Sequence, residues 1–210
     1  MWSRRKGQKH LSTWFKSLFA IYDLDKLVDL DLAWWPFKTM EILEVKFQKN
    51  QHEQKYKVLE WGSGASTIWL LRRGFEVTSI EHDEVWGRQV LVKARNLGLN
   101  FKLIMCAPER SSHPKRPSNK RGFEHLDFEN YVNAVPAKTM FDLIVIDGRS
   151  RESCLKVAWS HLKRDGIILF DNSNRKRYRK IIQSKGCEVK LKGITPASLF
   201  FTQSSIIRDC

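Results

Sequence analysis

The stretch Val58-Leu59-Glu60-Trp61-Gly62-Ser63-Gly64-Ala65-Ser66-Thr67 decides how the rest of the chain is read. A short apolar run of strand character enters a Gly-x-Gly turn, and a helix-forming run leaves it. Glycine lacks the Cβ that blocks sharp turns and keeps a ligand at a distance. The helix start that follows has backbone N–H groups with no partner inside the helix, so they can meet a ligand. A dinucleotide-binding loop reads Gly-x-Gly-x-x-Gly, and here Thr67 stands where the third glycine belongs. Glu60 closes the strand two residues before the first glycine. A carboxylate there suits a positively charged ligand end, such as an α-amino group, and suits a pyrophosphate badly. A nicotinamide oxidoreductase is disfavoured on both counts.

Working outward, the chain from Tyr56 onward alternates short apolar runs with amphipathic ones. Strands are predicted over 57–61, 76–81, 100–106, 141–147, 166–171, 187–191 and 199–202. Helices are predicted over 65–73, 84–97, 128–133, 151–162 and 175–184. Such alternation builds an α/β domain: a Rossmann-like, doubly wound, mostly parallel seven-stranded sheet with helices on both faces. Ligands of such sheets bind at the carboxyl ends of the strands, near the switch in strand order. The second strand ends in Glu81, about 20 residues past the glycines, where a group that holds ribose hydroxyls belongs. The alternative is a solvated acid at a strand end. The Pro-, Lys- and Arg-rich segment 107–122 is read as a loop.

Residues 1–55 are read as an N-terminal helical segment ahead of the Rossmann-like domain, 56–210. Trp14, Phe15, Leu18, Phe19 and Tyr22 fall at helical spacing, as do Met40, Ile42, Leu43 and Phe47. The aromatic run Trp34, Trp35 and Phe37 lies between them, and a polar run, 48–57, ends the segment.

The motif Glu60-x-Gly62-x-Gly64, followed by Ser79-Ile80-Glu81-His82-Asp83 and Trp86, resembles the class I S-adenosylmethionine-dependent methyltransferases. Phe141-Asp142-Leu143-Ile144-Val145-Ile146-Asp147-Gly148 and Gly166-Ile167-Ile168-Leu169-Phe170-Asp171-Asn172 resemble that superfamily's fourth and fifth strands. The likeness spans about 34–202. It implies that Glu60, Gly62, Ser63 and Gly64 line the methionine part of the cofactor. It implies that Glu81 takes the ribose, that His82 lies against the adenine edge, and that Cys106 and Ala107 flank the base. Ser66 and Thr67 would cap the helix and reach towards the ligand. N-terminal segments of such proteins cover the site, which gives Trp34 and Trp35 a role beside ordinary packing. The implied enzyme is a methyltransferase, acting on oxygen of a small molecule or glycan.

Asp147, Asp171 and Asn172 end neighbouring strands and form a hard oxygen set suited to Mg²⁺ or a similar divalent cation. The pattern is similar to cation-dependent O-methyltransferases of the catechol type, although Gly148-Arg149-Ser150-Arg151 stands where that group carries a base lysine. The alternatives are, for Asp147, an acid capping the helix at Arg151 or pairing with Arg149, and for Asp171 and Asn172 an Asx turn. Asp147 is the first candidate for catalytic base or acceptor anchor, ahead of His82 and His125.

The length of 210 residues fits one domain, and 42% hydrophobic with 29% charged residues fits a globular one. No run approaches the ~20 apolar residues of a membrane span. No signal peptide is legible. Cys106, Cys154, Cys187 and Cys210 are widely spaced without a Cys-x-x-Cys pair, so reduced thiols and a cytoplasmic location are expected. The net charge of +14 fits an acidic partner and equally a basic surface kept for solubility. The basic runs 110–121, Arg149 with Arg151, and 175–180 are expected near one rim, where they would make an anion-attracting mouth. Charge also keeps open a nucleic-acid methyltransferase, although no amino-methylation motif and no RNA-binding appendage is legible. A cofactor-binding or nucleic-acid-binding protein without catalysis remains a further alternative.

Overall fold

The computed structural model describes residues 4–21, 23–47, 55–184 and 186–209. The chain opens with helices α1 (Arg4–Ser17), α2 (Leu24–Asp29) and α3 (Phe37–Phe47). Strand β1 (Lys57–Trp61), helix α4 (Ala65–Arg72), strand β2 (Glu76–Glu81), helix α5 (Glu84–Asn96) and strand β3 (Lys102–Met105) follow. A two-stranded hairpin of β4 (Glu109–Arg110) and β5 (Leu126–Asp127) and the short helix α6 (Glu129–Asn133) lead back to the sheet. It continues with β6 (Phe141–Ile146), α7 (Arg151–Ala158), β7 (Leu162–Phe170), α8 (Arg179–Gln183), β8 (Cys187–Gly193) and β9 (Thr202–Arg208).

The seven-stranded sheet has the order β3-β2-β1-β6-β7-β9-β8. All neighbours are parallel except β9, which runs antiparallel to both β7 and β8. The central strands read as continuous apolar runs because helices cover both faces. Val58, Leu143, Val145, Ile167 and Leu169 join one buried cluster with α3, α4, α5 and the N-terminal helices. Leu59, Ile144, Ile146, Ile168 and Phe170, one residue out of phase, join the other with α6, α7 and α8. Residues 20–47 therefore share a core with the sheet. The strand order reverses between β1 and β6, and this is where a crevice opens.

Several expectations are corrected. The last strand is Thr202–Arg208 rather than 199–202. Leu199, Phe200 and Phe201 are exposed ahead of it, while Ser204, Ser205, Ile206 and Ile207 turn inward. Two buried serines made that strand look polar. Helix α1 starts at Arg4 and ends at Ser17, and a single 3-10 turn, Leu18–Ala20, takes the place of its expected continuation; Tyr22 lies outside the described residues, as does most of the polar run 48–57. The expected helix 175–184 splits into a 3-10 turn, Lys176–Tyr178, and α8. Cys106 and Cys154 are free thiols, but Cys187 is disulfide-bonded, against the expectation of four reduced thiols. The β8–β9 register places Cys187 opposite Arg208, a proximity that spacing along the chain does not reveal. Among the described residues no helix is long and apolar enough to cross a membrane.

Candidate functional site

A cavity of about 480 Å³ lies over the carboxyl ends of β1, β2 and β6. The turn after β1 is built for close approach. Gly62 has φ +97°, where a side chain is strained, and its N–H donates to Ile80 O. A Cβ at Gly62 would sit 2.7 Å from Gly148 Cα and 2.8 Å from Gly148 N. A Cβ at Gly148 would overlap the Tyr131 hydroxyl and come within 3.0 Å of Trp61 O. The two loops thus pack backbone to backbone, each needing glycine. Gly148→Ala is expected to cost about 1–3 kcal/mol by overpacking, read as a lowered midpoint of thermal unfolding. An unchanged midpoint would contradict this packing.

Of the residues singled out for a ligand, Gly62, Ser63, Gly64, Ser66, Glu81, His82 and Asp147 line this cavity. Glu81 is almost fully engaged. Its Oε2 accepts from Ser63 N at 2.9 Å and Ser63 Oγ at 3.2 Å. Its Oε1 accepts from His82 N at 2.7 Å and Asp83 N at 2.9 Å. His82 Nδ1 also lies 2.6 Å from Oε1. Since a carboxylate has about four lone-pair sites, a ligand hydroxyl reaching Glu81 must displace a present partner, and the bond from the Ser63 hydroxyl is the longest. Hydrogen bonds to the His82 imidazole and to these backbone amides hold the Glu81 carboxyl below its ordinary range, against the opposing effect of burial, which is the largest single influence. Trp86 Nε1 donates to Ser63 O at 2.7 Å, and Trp34 stacks on Trp86 with centroids 6.3 Å apart.

Glu60 does not line the cavity. It is wholly buried, and its carboxyl accepts from Ser66 Oγ at 2.5 Å, Thr67 Oγ1 at 2.5 Å and Ser79 Oγ at 3.2 Å. It ties the end of β1 to the first turn of α4 and to β2. Thr67 likewise faces inward, and its Oγ1 accepts from Gly64 N at 2.9 Å. Burial pushes the Glu60 carboxyl up to about 7, from an ordinary 4.5, despite the hydroxyl donors. Because its folded value lies above the unfolded one, its contribution to stability is complete below about 4.5 and is lost as pH rises through about 7. Asp171 is raised in the same direction by burial. The unfolding midpoint is therefore expected to fall between pH 5 and pH 8, and Glu60→Gln, which mimics the protonated acid, to flatten that slope. Parallel slopes for the two proteins in calorimetric scans would sink this assignment.

Cys106 and Ala107 also lie off the cavity lining. The Cys106 N–H closes the ladder onto Glu81 O at 2.8 Å, and its side chain packs against the buried cluster under α6 and α7. Sequence reasoning gave no lining role to Asp83, Trp86 or Phe123; it had placed Trp34 in the covering segment and Lys120 and Arg149 in basic runs near the rim. Phe123 and Lys120 come from the loop before β5, where no periodicity marks which side chains turn inward.

Asp147, Asp171 and Asn172 do converge, but a cation of the protein already sits between them. The Arg151 guanidinium, with a side chain only 7% exposed, donates to Asp147 Oδ1 at 2.8 Å and lies 3.7 Å from Asp171 Oδ2. It also donates to the carbonyls of Asp147, Asp171 and Gly148. Asp171 Oδ1 accepts from Ser204 Oγ at 2.8 Å, and Asn172 Oδ1 accepts from Arg175 at 2.8 Å. Asp147 and Asn172 thus already accept from donors of the protein and Asp171 faces the Arg151 cation, which takes the place a divalent ion would hold between the two carboxylates. The set does not fit a divalent cation. Asp147 Oδ2 accepts from Trp35 Nε1 at 3.2 Å, and Asp147 and Trp34 line both the central cavity and a second one, of about 290 Å³, under the segment Thr195–Ser198.

No protein-family profile matches the chain, and no curated protein matches it. Solved structures do, at the level of the fold. A 16S rRNA methyltransferase from T. thermophilus, in complex with AdoMet and guanosine, aligns with a TM-score of 0.55 at 15% identity over 81% of this chain. The chain spans 42% of that protein. A methyltransferase-like protein from Silicibacter pomeroyi aligns with a TM-score of 0.53 at 20% identity, covering 84% of this chain and 91% of its own. A putative caffeoyl-CoA O-methyltransferase from Staphylococcus aureus aligns with a TM-score of 0.56 at 14% identity, covering 90% and 92%. The chain has the Rossmann-like fold of these proteins.

Proposed function

We propose that the chain is an S-adenosylmethionine-dependent methyltransferase acting on a hydroxyl of a small molecule or glycan. The observation that carries this reading is the glycine-walled cavity at the switch point, with Glu81 on its floor and Asp147 at its junction with a second cavity. Gly62, Ser63, Gly64, Ser66, Glu81 and His82 would hold the cofactor, which when bound supplies an electrophilic methyl group on a sulfonium. The chain's own task is to align the acceptor with it and to exclude water. Asp147, fixed by Arg151 and Trp35, takes a hydrogen bond or the proton from the acceptor hydroxyl. Trp34, lining both cavities, makes the N-terminal segment a cover for the site.

Calorimetric titration with S-adenosylmethionine, beside a nicotinamide dinucleotide, tests the reading. Saturable binding of the first alone supports it; no binding of the first to folded protein removes it. Because Arg151 fills the place of an ion, methyl transfer is expected to be unchanged in excess chelator. A rate that collapses on chelation and returns with Mg²⁺ would overturn the assignment of Arg151.

A further inference from the structure

Beside the central cavity lies a larger one, of about 760 Å³, walled by the segment 115–120, the start of α7 and the turn 175–178. The three basic runs of the sequence meet there. Eight Lys or Arg side chains line it against one carboxylate, Glu152. Lys115 pairs with Glu129, and Arg151 with Asp147 and Asp171. Arg116, Lys120, Arg149, Lys156, Arg175 and Arg177 form no ion pair among the described residues. Elsewhere some cations are matched, Arg72 and Arg73 with Asp31, Arg88 with Glu84, Lys93 with Asp25 and Lys163 with Asp142, and the other unpaired ones among the described residues, such as Arg95, Lys102, Arg164 and Lys180, line no part of this cavity. Six cations without an ion pair thus share one concave place.

The crowding has an electrostatic cost. Burial and the neighbouring Arg151 pull the Arg149 guanidinium below its ordinary value, and Arg149 in turn pulls Lys120 down. The Nε atoms of Arg116 and Arg149 are buried without a hydrogen-bond partner, which is expensive unless a ligand supplies one. The Ser150 side chain leaves the first turn of α7 uncapped and donates to Arg116 O at 3.2 Å instead. Guanidinium forks and a free helix start both favour phosphate oxygens.

We propose that this cavity is a binding site for the phosphate groups of a small molecule. Its volume falls in the range of small-ligand pockets, roughly 300–1,000 Å³. Its cations converge inward from three segments rather than following a stripe. A groove for single-stranded nucleic acid would offer aromatic faces for stacking, but the lining aromatic, Tyr178, is 5% exposed. Lys120, Gly148 and Arg149 line both this cavity and the central one, so an occupant abuts the central cavity. The inference stands independently of the methyltransferase reading.

Titration of the full chain with inorganic pyrophosphate, with sulfate as a comparison, tests it. Saturable one-to-one binding of pyrophosphate is expected, weakened at least tenfold in Arg149→Gln and in Arg177→Gln, and by less than twofold in Arg88→Gln. Unchanged thermal unfolding of Arg177→Gln establishes that the variant is folded. Unsaturable binding, binding no tighter than that of sulfate, or an equal loss in Arg88→Gln would overturn the site. Single-stranded oligonucleotides binding more tightly than pyrophosphate, with affinity rising with length, would overturn it in favour of a nucleic-acid surface. Pyrophosphate binding in a protein that fails to bind S-adenosylmethionine would uphold this site and remove only the methyltransferase reading.

Discussion

Arg151→Ala is expected to cost on the order of 3–5 kcal/mol, the range for removing one partner of a buried ion pair. For a chain of this size that corresponds to a fall in the unfolding midpoint on the order of 10 °C. The magnitude follows from what the guanidinium satisfies: two carboxylates and three backbone carbonyls at the ends of β6 and β7. Without it, Asp147 and Asp171 face each other across a space with no compensating charge, and Asp171 is already driven upward by burial and by Asp147. The loss should be smaller at pH 5, where carboxyls raised in this way take up protons, than at pH 8. Thermal scans of the variant at both pH values check this. A midpoint within 2 °C of the parent at pH 8 would mean that the pair is not holding the two strand ends together.

Asp147→Asn is expected to lower kcat for methyl transfer by about 10²–10⁴-fold, the usual contribution of a positioned acid or base. Affinity for S-adenosylmethionine should change little. The amide keeps the shape and an oxygen for the Trp35 indole, at present 3.2 Å away, while it removes the charge that meets Arg151 and the acceptor. The two readouts separate chemistry from binding. A fall in cofactor affinity that matches the fall in kcat/KM would show Asp147 to be a wall of the cavity rather than a participant in the step.

The sheet was legible because its central strands are buried on both faces, so Leu143–Ile146 and Ile167–Phe170 stand out as unbroken apolar runs. Glu81 and the glycine turn were legible because strand-end carboxylates and positive φ leave local marks. Other features carry no such mark. Arg151 reads in the sequence as one more member of a basic run, and only the fold shows it enclosed between two acids. Glu60 reads as a ligand contact because its spacing from Gly62 is right; its direction is set by Ser79, on another strand, 3.2 Å away. The strand Thr202–Arg208 hid behind two serines whose hydroxyls are satisfied by Asp171 and Glu188. Cys187 is disulfide-bonded, which nothing in the spacing of the cysteines along the chain reveals.

The backbone contact between Gly62 and Gly148 has a consequence for how such a protein diverges. With a Cβ at either position meeting the backbone of the other loop, neither can accept a side chain while its partner stays put. The turn that meets the ligand and the turn that carries Asp147 are therefore one inherited unit. A lineage can remodel the walls around them, as Trp34, Lys120 and Phe123 allow, and so change what is bound, but that pair of turns must be kept or lost together.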